Sequence, residues 1–256
     1  MRRDTVTLLQ GKLALVTGAA QGNGRSIALG LADAGADVIA TDVNFEGARQ
    51  TAADIAATGR KSWAYALDVA DDAACQALAA RVAAEAGAVS VLVNNAGILL
   101  RDSINDADRV KQHWDRTMRV NADGPFNVTR AFLGQLKETR GSVVNIASIQ
   151  SFVAIANSVA YNAAKGAVKQ LTKVLAVELA RDGVRVNAIA PGVMATPMTA
   201  AIRDRPQVMA HILPHIPMGR VGQPEELVGP TVFLASDLAS YVTGAILPVD
   251  GGYLCV

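Results

Sequence analysis

Aromatic residues make up only 4% of this 256-residue sequence, against 51% apolar residues in all. The apolar mass is therefore Ala, Val, Leu and Ile, which suits helices packed on a buried parallel sheet. Cysteine is almost absent. Cys75 and Cys255 lie far apart and make neither a metal-type nor a redox-type spacing, so they read as two unpaired thiols of a reducing compartment. Histidine is as sparse. His113, His211 and His215 are too scattered for a metal-ligand set, so no metal is expected. The last two are four apart, but Pro214 between them argues against a regular helical turn. Charge of either sign is not in excess: the formal net charge is +1, with no long charge run. Arg2 and Arg3 are the nearest thing to a basic cluster, too little for a nucleic-acid footprint. No apolar run reaches ~18 residues, so no membrane-spanning helix is expected. The basic start has no apolar stretch behind it before Gly11, which argues against a secretory signal. The expectation is a soluble, cytoplasmic protein with neither nucleic-acid nor membrane partners.

The length suits one α/β domain over 1–256, with no linker, repeat or low-complexity segment. Short β-rich runs alternate with longer helical patterns. Strands are expected at Leu13–Val16, Asp37–Thr41, Ser62–Leu67, Val89–Val93, Ser142–Ala147, Val184–Ile189 and Ala245–Val249. Between them, helices are expected at Ser26–Ala34, Phe45–Ala57, Asp71–Ala86, about Ala107 to Lys137, Val159–Ala180 and Pro224–Leu234. Strands separated by helices of this length imply right-handed crossovers. The fold class is α/β: a doubly wound parallel sheet of about seven strands, Rossmann-like, with helices on both faces. The least regular stretch, 192–222, holds five of the nine prolines when Pro191 is counted, and reads as a loop or substrate lid.

Two places in this pattern carry chemistry. The first is Thr17-Gly18-Ala19-Ala20-Gln21-Gly22-Asn23-Gly24, between the first strand and the first helix. Glycines there permit a tight turn and let the backbone approach a pyrophosphate, which the helix N-terminus favours. Such a turn alone is a weak signal, but here it has a strand before it and a helix after it. Asp42 ends the second strand, 24 residues after Gly18. A carboxylate there accepts from adenosine ribose hydroxyls and repels a 2′-phosphate. No Arg or Lys lies between Ala19 and Gly24 or just after Asp42, so NAD is expected in preference to NADP.

The second place is Tyr161 and Lys165, four apart and so on one helix face. A free Tyr, with a pKa of ~10, is a poor base at neutral pH, and a nearby ammonium favours its phenolate. A Tyr tuned in this way can take a proton from an alcohol or return it to an alkoxide. The pair alone is common on amphipathic helices. Ser148 strengthens it, because it follows the fifth strand at its carboxyl end, where ligands bind in open α/β sheets. By spacing alone, Ser151 and Ser158 are rivals.

The chain resembles the short-chain dehydrogenase/reductase family over essentially its whole length. The resemblance rests on Thr17-Gly18-x-x-x-Gly22-x-Gly24, Asp68-Val69, Asn94-Asn95-Ala96-Gly97 and Asn121. It continues with Ser148 thirteen residues before Tyr161, Tyr161-x-x-x-Lys165, Pro191-Gly192 and Asp250-Gly251-Gly252. Each piece is modest, and the ordered set is specific. The resemblance implies that Tyr161 is the general acid/base and that Ser148 binds the substrate oxygen. Lys165 would lower the Tyr161 pKa and bind the nicotinamide ribose, and Asn121 would hold a water relaying protons through it. Gly18, Gln21, Gly22, Asn23, Gly24 and Asp42 would hold the cofactor. Asp68 and Val69 would flank its adenine, and Asn95, Ala96 and Gly97 would pass its adenosine side. Pro191, Gly192, Val193 and Thr196 would cover its nicotinamide and phosphate. One departure stands out: the family usually has Ile or Leu where this chain has Asn23, which either alters cofactor hydrogen bonding or points to solvent.

Specificity in the family lies around the reacting centre, here Ile98-Leu99-Leu100, Ile149-Gln150, Ala154–Asn157 and Val193–Met218. Gln150, Asn157 and Val193 join Ser148 and Tyr161 as candidate substrate contacts. The mix suits a polyol, sugar acid or hydroxyketone, and equally a modest apolar alcohol. The C-terminal half is similar to sugar-alcohol and gluconate-type dehydrogenases of the family. Arg203, Asp204 and Arg205 read as solvent-facing, with one Arg on a substrate carboxylate as the alternative. Trp63 and Trp114 read as packing. The runner-up is a 3-oxoacyl carrier-protein reductase. Asp42 disfavours it, and so do Gly134 and Val177, which stand where those enzymes carry basic residues. A non-catalytic dinucleotide sensor is a second alternative, disfavoured because Asn121, Ser148, Tyr161 and Lys165 are all present. The helix at 159–180 is apolar on more than one face, so one side needs a partner. The resemblance suggests a homotetramer.

Overall fold

The computed structural model describes residues 7–256. The Arg2–Arg3 pair lies outside the described residues. Seven strands form one parallel sheet: β1 (Leu13–Thr17), β2 (Asp37–Asp42), β3 (Ser62–Ala66), β4 (Val91–Asn94), β5 (Ser142–Ile146), β6 (Arg185–Pro191) and β7 (Ile246–Val249). Their order is β3-β2-β1-β4-β5-β6-β7. The chain runs outward from β1 through β2 to β3 and returns to β4 on the other side of β1. That reversal opens a crevice at the carboxyl ends of β1 and β4, where open α/β sheets bind ligands.

The α-helices are α1 (Gly22–Asp33), α2 (Phe45–Ala56), α3 (Asp72–Glu85), α4 (Ala107–Met118), α5 (Gly124–Ala131), α6 (Leu133–Thr139), α7 (Val159–Leu179), α8 (Ala200–Arg203), α9 (Pro206–Ile212) and α10 (Val228–Ala235). Local chemistry fixes their ends. The Asn44 side chain accepts from Gly47 N–H at 3.2 Å and starts α2, and Asp71 accepts from Ala74 N–H at 3.0 Å and starts α3. After α7 a short 3₁₀ turn ends at Gly183, whose φ of 78° few side chains tolerate.

Period-two alternation along β1 splits the core in two. Ala14 and Val16 pack with Ile27, Leu31, Leu227 and Leu234 on one face of the sheet. Leu13 and Leu15 pack with Leu78, Val82, Phe132, Leu136 and Leu179 on the other. Trp63 packs against this second cluster, as expected. Polar groups cross the core as a chain of amides. Asn94 Nδ2 donates to Asn145 Oδ1 at 2.8 Å and Thr129 Oγ1 at 3.0 Å, and Asn145 Nδ2 donates to Thr172 Oγ1 at 2.9 Å. The chain ties β4, β5, α5 and α7 together beneath the crevice. Among the described residues, no helix is long and apolar enough to cross a membrane.

Two expectations need correction. The single helix expected from Ala107 to Lys137 is three helices, broken by a π turn at Arg119–Asp123 and again at Phe132. Pro125 has no N–H to offer the Asn121 carbonyl, so α-helical bonding cannot continue there. The stretch 192–222 is not a bare loop. It holds α8, α9 and three-residue 3₁₀ turns at Pro197–Thr199 and Leu213–His215, and a bridge between Met194 and Gly222 closes its base. Proline suits the first turns of such short helices, where the missing N–H costs nothing.

Candidate active site

The crevice is a cavity of about 1070 Å³. At one end lies the glycine turn. Gly18 and Gly22 take φ of 66° and 55°, and a Cβ on Gly24 would stand 2.0 Å from the Gly18 carbonyl oxygen. Only glycine lets α1 begin this close to the turn, four residues before the sequence suggested. Asn95, brought over by β4, braces it. Its Nδ2 donates to the Thr17 and Gly18 carbonyls at 2.9 and 3.0 Å. The Thr17 hydroxyl accepts from the backbone N–H of Asn95 and Ala96, each at 3.0 Å. Asp42 holds the turn from the other side. Its carboxylate accepts from Ala20 N–H at 3.0 Å and Asn44 N–H at 2.9 Å. Asp42, Val43, Leu67, Asp68 and Val69 line this part of the cavity, and none is cationic.

At the reacting end, the three candidate serines separate. Ser151 donates to the Lys165 carbonyl at 2.7 Å, a structural role. Ser158 is fully buried and does not line the cavity. Ser148 lines it, and its hydroxyl accepts from Gln150 N–H at 3.1 Å. Lys165 is 5% exposed, and its Nζ donates to the Ile146 carbonyl at 2.6 Å. Burial pulls this ammonium down to about 8. Burial pushes the Tyr161 hydroxyl up, while the Ser148 hydrogen bond and the Arg101 charge pull it down. Lys165 Nζ lies 5.6 Å from the Tyr161 ring centroid, and the Arg101 charge also reaches Tyr161. The ammonium is turned to Ile146, and its own burial favours the neutral amine.

Every other predicted cofactor residue also faces this cavity: Gly18, Gln21, Gly22, Asn23, Gly24, Asn95, Ala96, Gly97, Pro191, Gly192, Val193 and Thr196. Two predicted residues do not line it. Asn121 is fully buried behind the wall, with its Oδ1 accepting from Ile98 N–H and its Nδ2 donating to the Ile98 carbonyl, both at 2.8 Å. Both side-chain groups are thereby bonded to Ile98, and Pro125 has no N–H to offer the Asn121 main-chain carbonyl. Asn157 stands outside the cavity lining. It is exposed, with φ of 57°, and its carbonyl accepts from Asp102 N–H at 3.1 Å. Asn tolerates this left-handed conformation better than most residues, which explains it there without substrate. Arg203 is committed to the lid, donating to the Thr196 carbonyl at 3.1 Å and Thr199 Oγ1 at 3.2 Å. Arg205 lines the cavity. Sequence reasoning missed Arg101 and Tyr253, which also line it, while His211 lines it from within the expected 193–218 segment. Arg101 follows directly on Ile98-Leu99-Leu100, and nothing in its spacing distinguishes it from a solvated arginine.

The cavity fits a dinucleotide. A glycine cradle that Cβ atoms would fill, a helix N-terminus over it and a carboxylate at the end of β2 form one continuous surface. Two buried acceptors on it, Asn23 Oδ1 and Gln150 Oε1, have no donor among the described residues. Fold and site together define a nicotinamide-dinucleotide oxidoreductase. A family model described as enoyl-(acyl carrier protein) reductase matches residues 18–254. The chain is 41% identical to a 2-dehydro-3-deoxy-D-gluconate 5-dehydrogenase of Dickeya dadantii, covering 96% of each chain. It is 45% identical to a galactitol 2-dehydrogenase (L-tagatose-forming) of Cereibacter sphaeroides, covering 97% of each. A gluconate 5-dehydrogenase structure from Burkholderia cenocepacia, in complex with NADP and tartrate, superposes with a TM-score of 0.94 at 37% identity over 98% of each chain. The chain belongs to the short-chain dehydrogenase/reductase family. It is an oxidoreductase that uses a nicotinamide dinucleotide and acts on the CH–OH group of secondary alcohols, with sugar-acid and polyol dehydrogenases as its relatives.

Proposed function

We propose that this enzyme is an NAD-dependent dehydrogenase of a hydroxylated acid, with Tyr161 as general acid/base, Ser148 as the group that orients the reacting oxygen and Arg101 as the carboxylate anchor. The observation that carries the reading is Tyr161, hydrogen-bonded to Ser148 and reached by the Arg101 charge, lining the same cavity as the glycine turn. The nicotinamide supplies the hydride chemistry when bound. The protein supplies position and proton. Ser148 donates to the substrate hydroxyl oxygen and fixes it beside Tyr161. The Tyr161 phenolate takes the hydroxyl proton as the carbonyl forms. Arg101 favours the phenolate, and Lys165, whose ammonium burial pulls down to about 8, gives up and regains a proton readily near neutral pH and so relays it outward. The Asn121 main-chain carbonyl supports the water that continues this path.

Asp42 supports NAD. One of its oxygens orders the glycine turn through Ala20 N–H and the other accepts from Asn44 N–H, so its charge is held at the end of β2, and its neighbours Val43, Leu67, Asp68 and Val69 on the cavity wall carry no cation. The NADP in the Burkholderia relative marks the competing choice. An acid rather than a neutral polyol is supported by Arg101 and Arg205 in the cavity, and Gln150 Oε1 offers an acceptor to a further hydroxyl. The remaining candidate contacts, Val193 and the 192–222 lid, close over the substrate. A homotetramer is supported by α7, where Val174 is 43% and Val177 78% exposed while Val168 and Leu179 are buried. Two free thiols fit a cytoplasmic setting.

The test is initial-rate turnover with NAD⁺ and NADP⁺ on D-gluconate, galactitol, threitol and a 3-hydroxyacyl thioester, with Tyr161→Phe alongside. NAD⁺ turnover of the acid, lost in Tyr161→Phe while NADH fluorescence binding persists, is the expected result. Preference for NADP⁺ and the thioester overturns the reading in favour of a carrier-protein reductase.

A further inference from the structure

The segment from Ile98 to Asp106 joins β4 to α4 and carries Arg101 into the cavity. It has no regular structure through Ser103, yet it is fixed at two points. The first is Ile98, whose N–H and carbonyl both bond to the Asn121 side chain at 2.8 Å. The second is Asp102, four residues on. Its side chain is 4% exposed, although Arg101 beside it faces the open cleft. The Asp102 N–H donates to the Asn157 carbonyl at 3.1 Å, in the turn that precedes α7 and its Tyr161. The Asp102 carboxylate oxygen Oδ2 bonds to His113 Nδ1 on α4. Its other oxygen, Oδ1, is buried without a partner among the described residues.

A carboxylate at a cleft rim would ordinarily turn to water, because leaving water is costly unless the charge is paired. Here it turns inward, and among the described residues His113 is its one side-chain partner. The result is mechanical. Asp102 is tied through its side chain to α4 and through its main chain to the start of α7. With Ile98 tied to the π turn, the five-residue span 98–102 bearing Arg101 is pinned at both ends. Other charges face the pair from the start of α4, where Arg109 and Asp106 bond to each other. Arg109 feels the Asp102 charge, and Asp106 feels His113.

We propose that Asp102 and His113 are positioning residues, a clasp that holds Arg101 on the cavity wall toward the substrate carboxylate. The clasp rests on the reading of Arg101 given above. Neither Asp102 nor His113 lines the cavity, so their effect must pass through Arg101. Removing His113 leaves Asp102 buried with no side-chain partner, and the carboxylate must swing out, carrying Arg101 with it.

The experiment compares wild type, Arg101→Met, His113→Ala and His113→Gln. It measures KM and kcat on D-gluconate and on threitol, and binding of D-gluconate and tartrate to the NADH complex by calorimetry. His113→Ala should weaken both anions about tenfold and leave the threitol KM unmoved, while the ascending pH limb of kcat moves upward alike on both substrates as Tyr161 loses the Arg101 charge. His113→Gln, which keeps a donor, should recover most of the loss even if thermal stability falls. If Arg101→Met weakens the anions and neither His113 variant does, or if the KM for acid and for neutral alcohol rises equally, the clasp is wrong. If wild type binds neither anion, or Arg101→Met changes nothing, the carboxylate reading itself falls and the clasp with it.

Discussion

Replacing Lys165 by methionine should abolish turnover and yet make the protein more stable at neutral pH. Lys165 is 5% exposed, and burial pulls its ammonium to about 8 from an ordinary 10.5. The folded state therefore holds this proton less tightly than the unfolded chain does. Below pH 8 the lysine is charged in both states and carries the full desolvation cost. That cost is about 3 kcal/mol, at roughly 1.4 kcal/mol for each tenfold loss of proton affinity. Between pH 8 and 10.5 the unfolded chain binds about one more proton than the folded one, so stability rises with pH by about 1.4 kcal/mol per pH unit. Methionine has similar length and no charge, so its folded state carries none of this. It loses the 2.6 Å bond to the Ile146 carbonyl, which offsets about 1 kcal/mol. The net gain at pH 7 is roughly 2 kcal/mol, or about 4–8 °C in thermal midpoint at 2–4 °C per kcal/mol for a chain of this size. The assay is thermal unfolding of both proteins from pH 7 to 10, with NADH binding and turnover measured in parallel. The variant should lead at pH 7, and the gap should close as pH rises. A variant less stable at pH 7, or a gap that does not change with pH, would refute the reasoning.

Gly24→Ala puts a methyl 2.0 Å from the Gly18 oxygen and 2.4 Å from Asn95 Nδ2. It should cost several kcal/mol, as backbone overpacking does, and abolish NADH binding by fluorescence titration. Asp42→Asn removes a charge whose repulsion of a 2′-phosphate is worth about 1 kcal/mol per charge pair at close range in water. The ratio of kcat/KM for NADP⁺ to that for NAD⁺ should rise about tenfold or more, and no change would sink the cofactor argument. Arg101→Met removes a charge that lowers Tyr161, so the ascending, low-pH limb of alcohol oxidation, where the Tyr161 base is protonated, should move to higher pH. An unmoved profile of kcat/KM against pH would detach Arg101 from Tyr161.

Much of the fold was legible because its signals are local. Buried strands announce themselves as apolar runs, Asp71 caps α3 by the bond its position implies, and glycines mark the turns. The expected strands and the glycine turn fall where the sequence put them, within a residue or two. The long helix did not, because apolar periodicity runs unbroken through 107–137 while Pro125 and the π turn interrupt only the backbone bonding. The lid misled for the opposite reason. Its prolines look like breakers, but several of them start short helices.

The site divides along the same line. Tyr161 and Lys165 share a helix face by spacing, and Gly18 to Gly24 sit where any strand-turn-helix places them. These the sequence determined by itself, since each depends on bonds within a few residues. The choice of Ser148 over Ser151 and Ser158 belongs to the tertiary structure. So do the exclusion of Asn157, the bracing of Gly18 by Asn95 across 77 residues and the turning of Lys165 to Ile146. So does the place of Arg101, which the fold sets on the cavity wall that Tyr161 also lines. Charges and hydrogen bonds act over a few ångströms of space whatever the distance along the chain, and only the packed sheet sets which groups come that close.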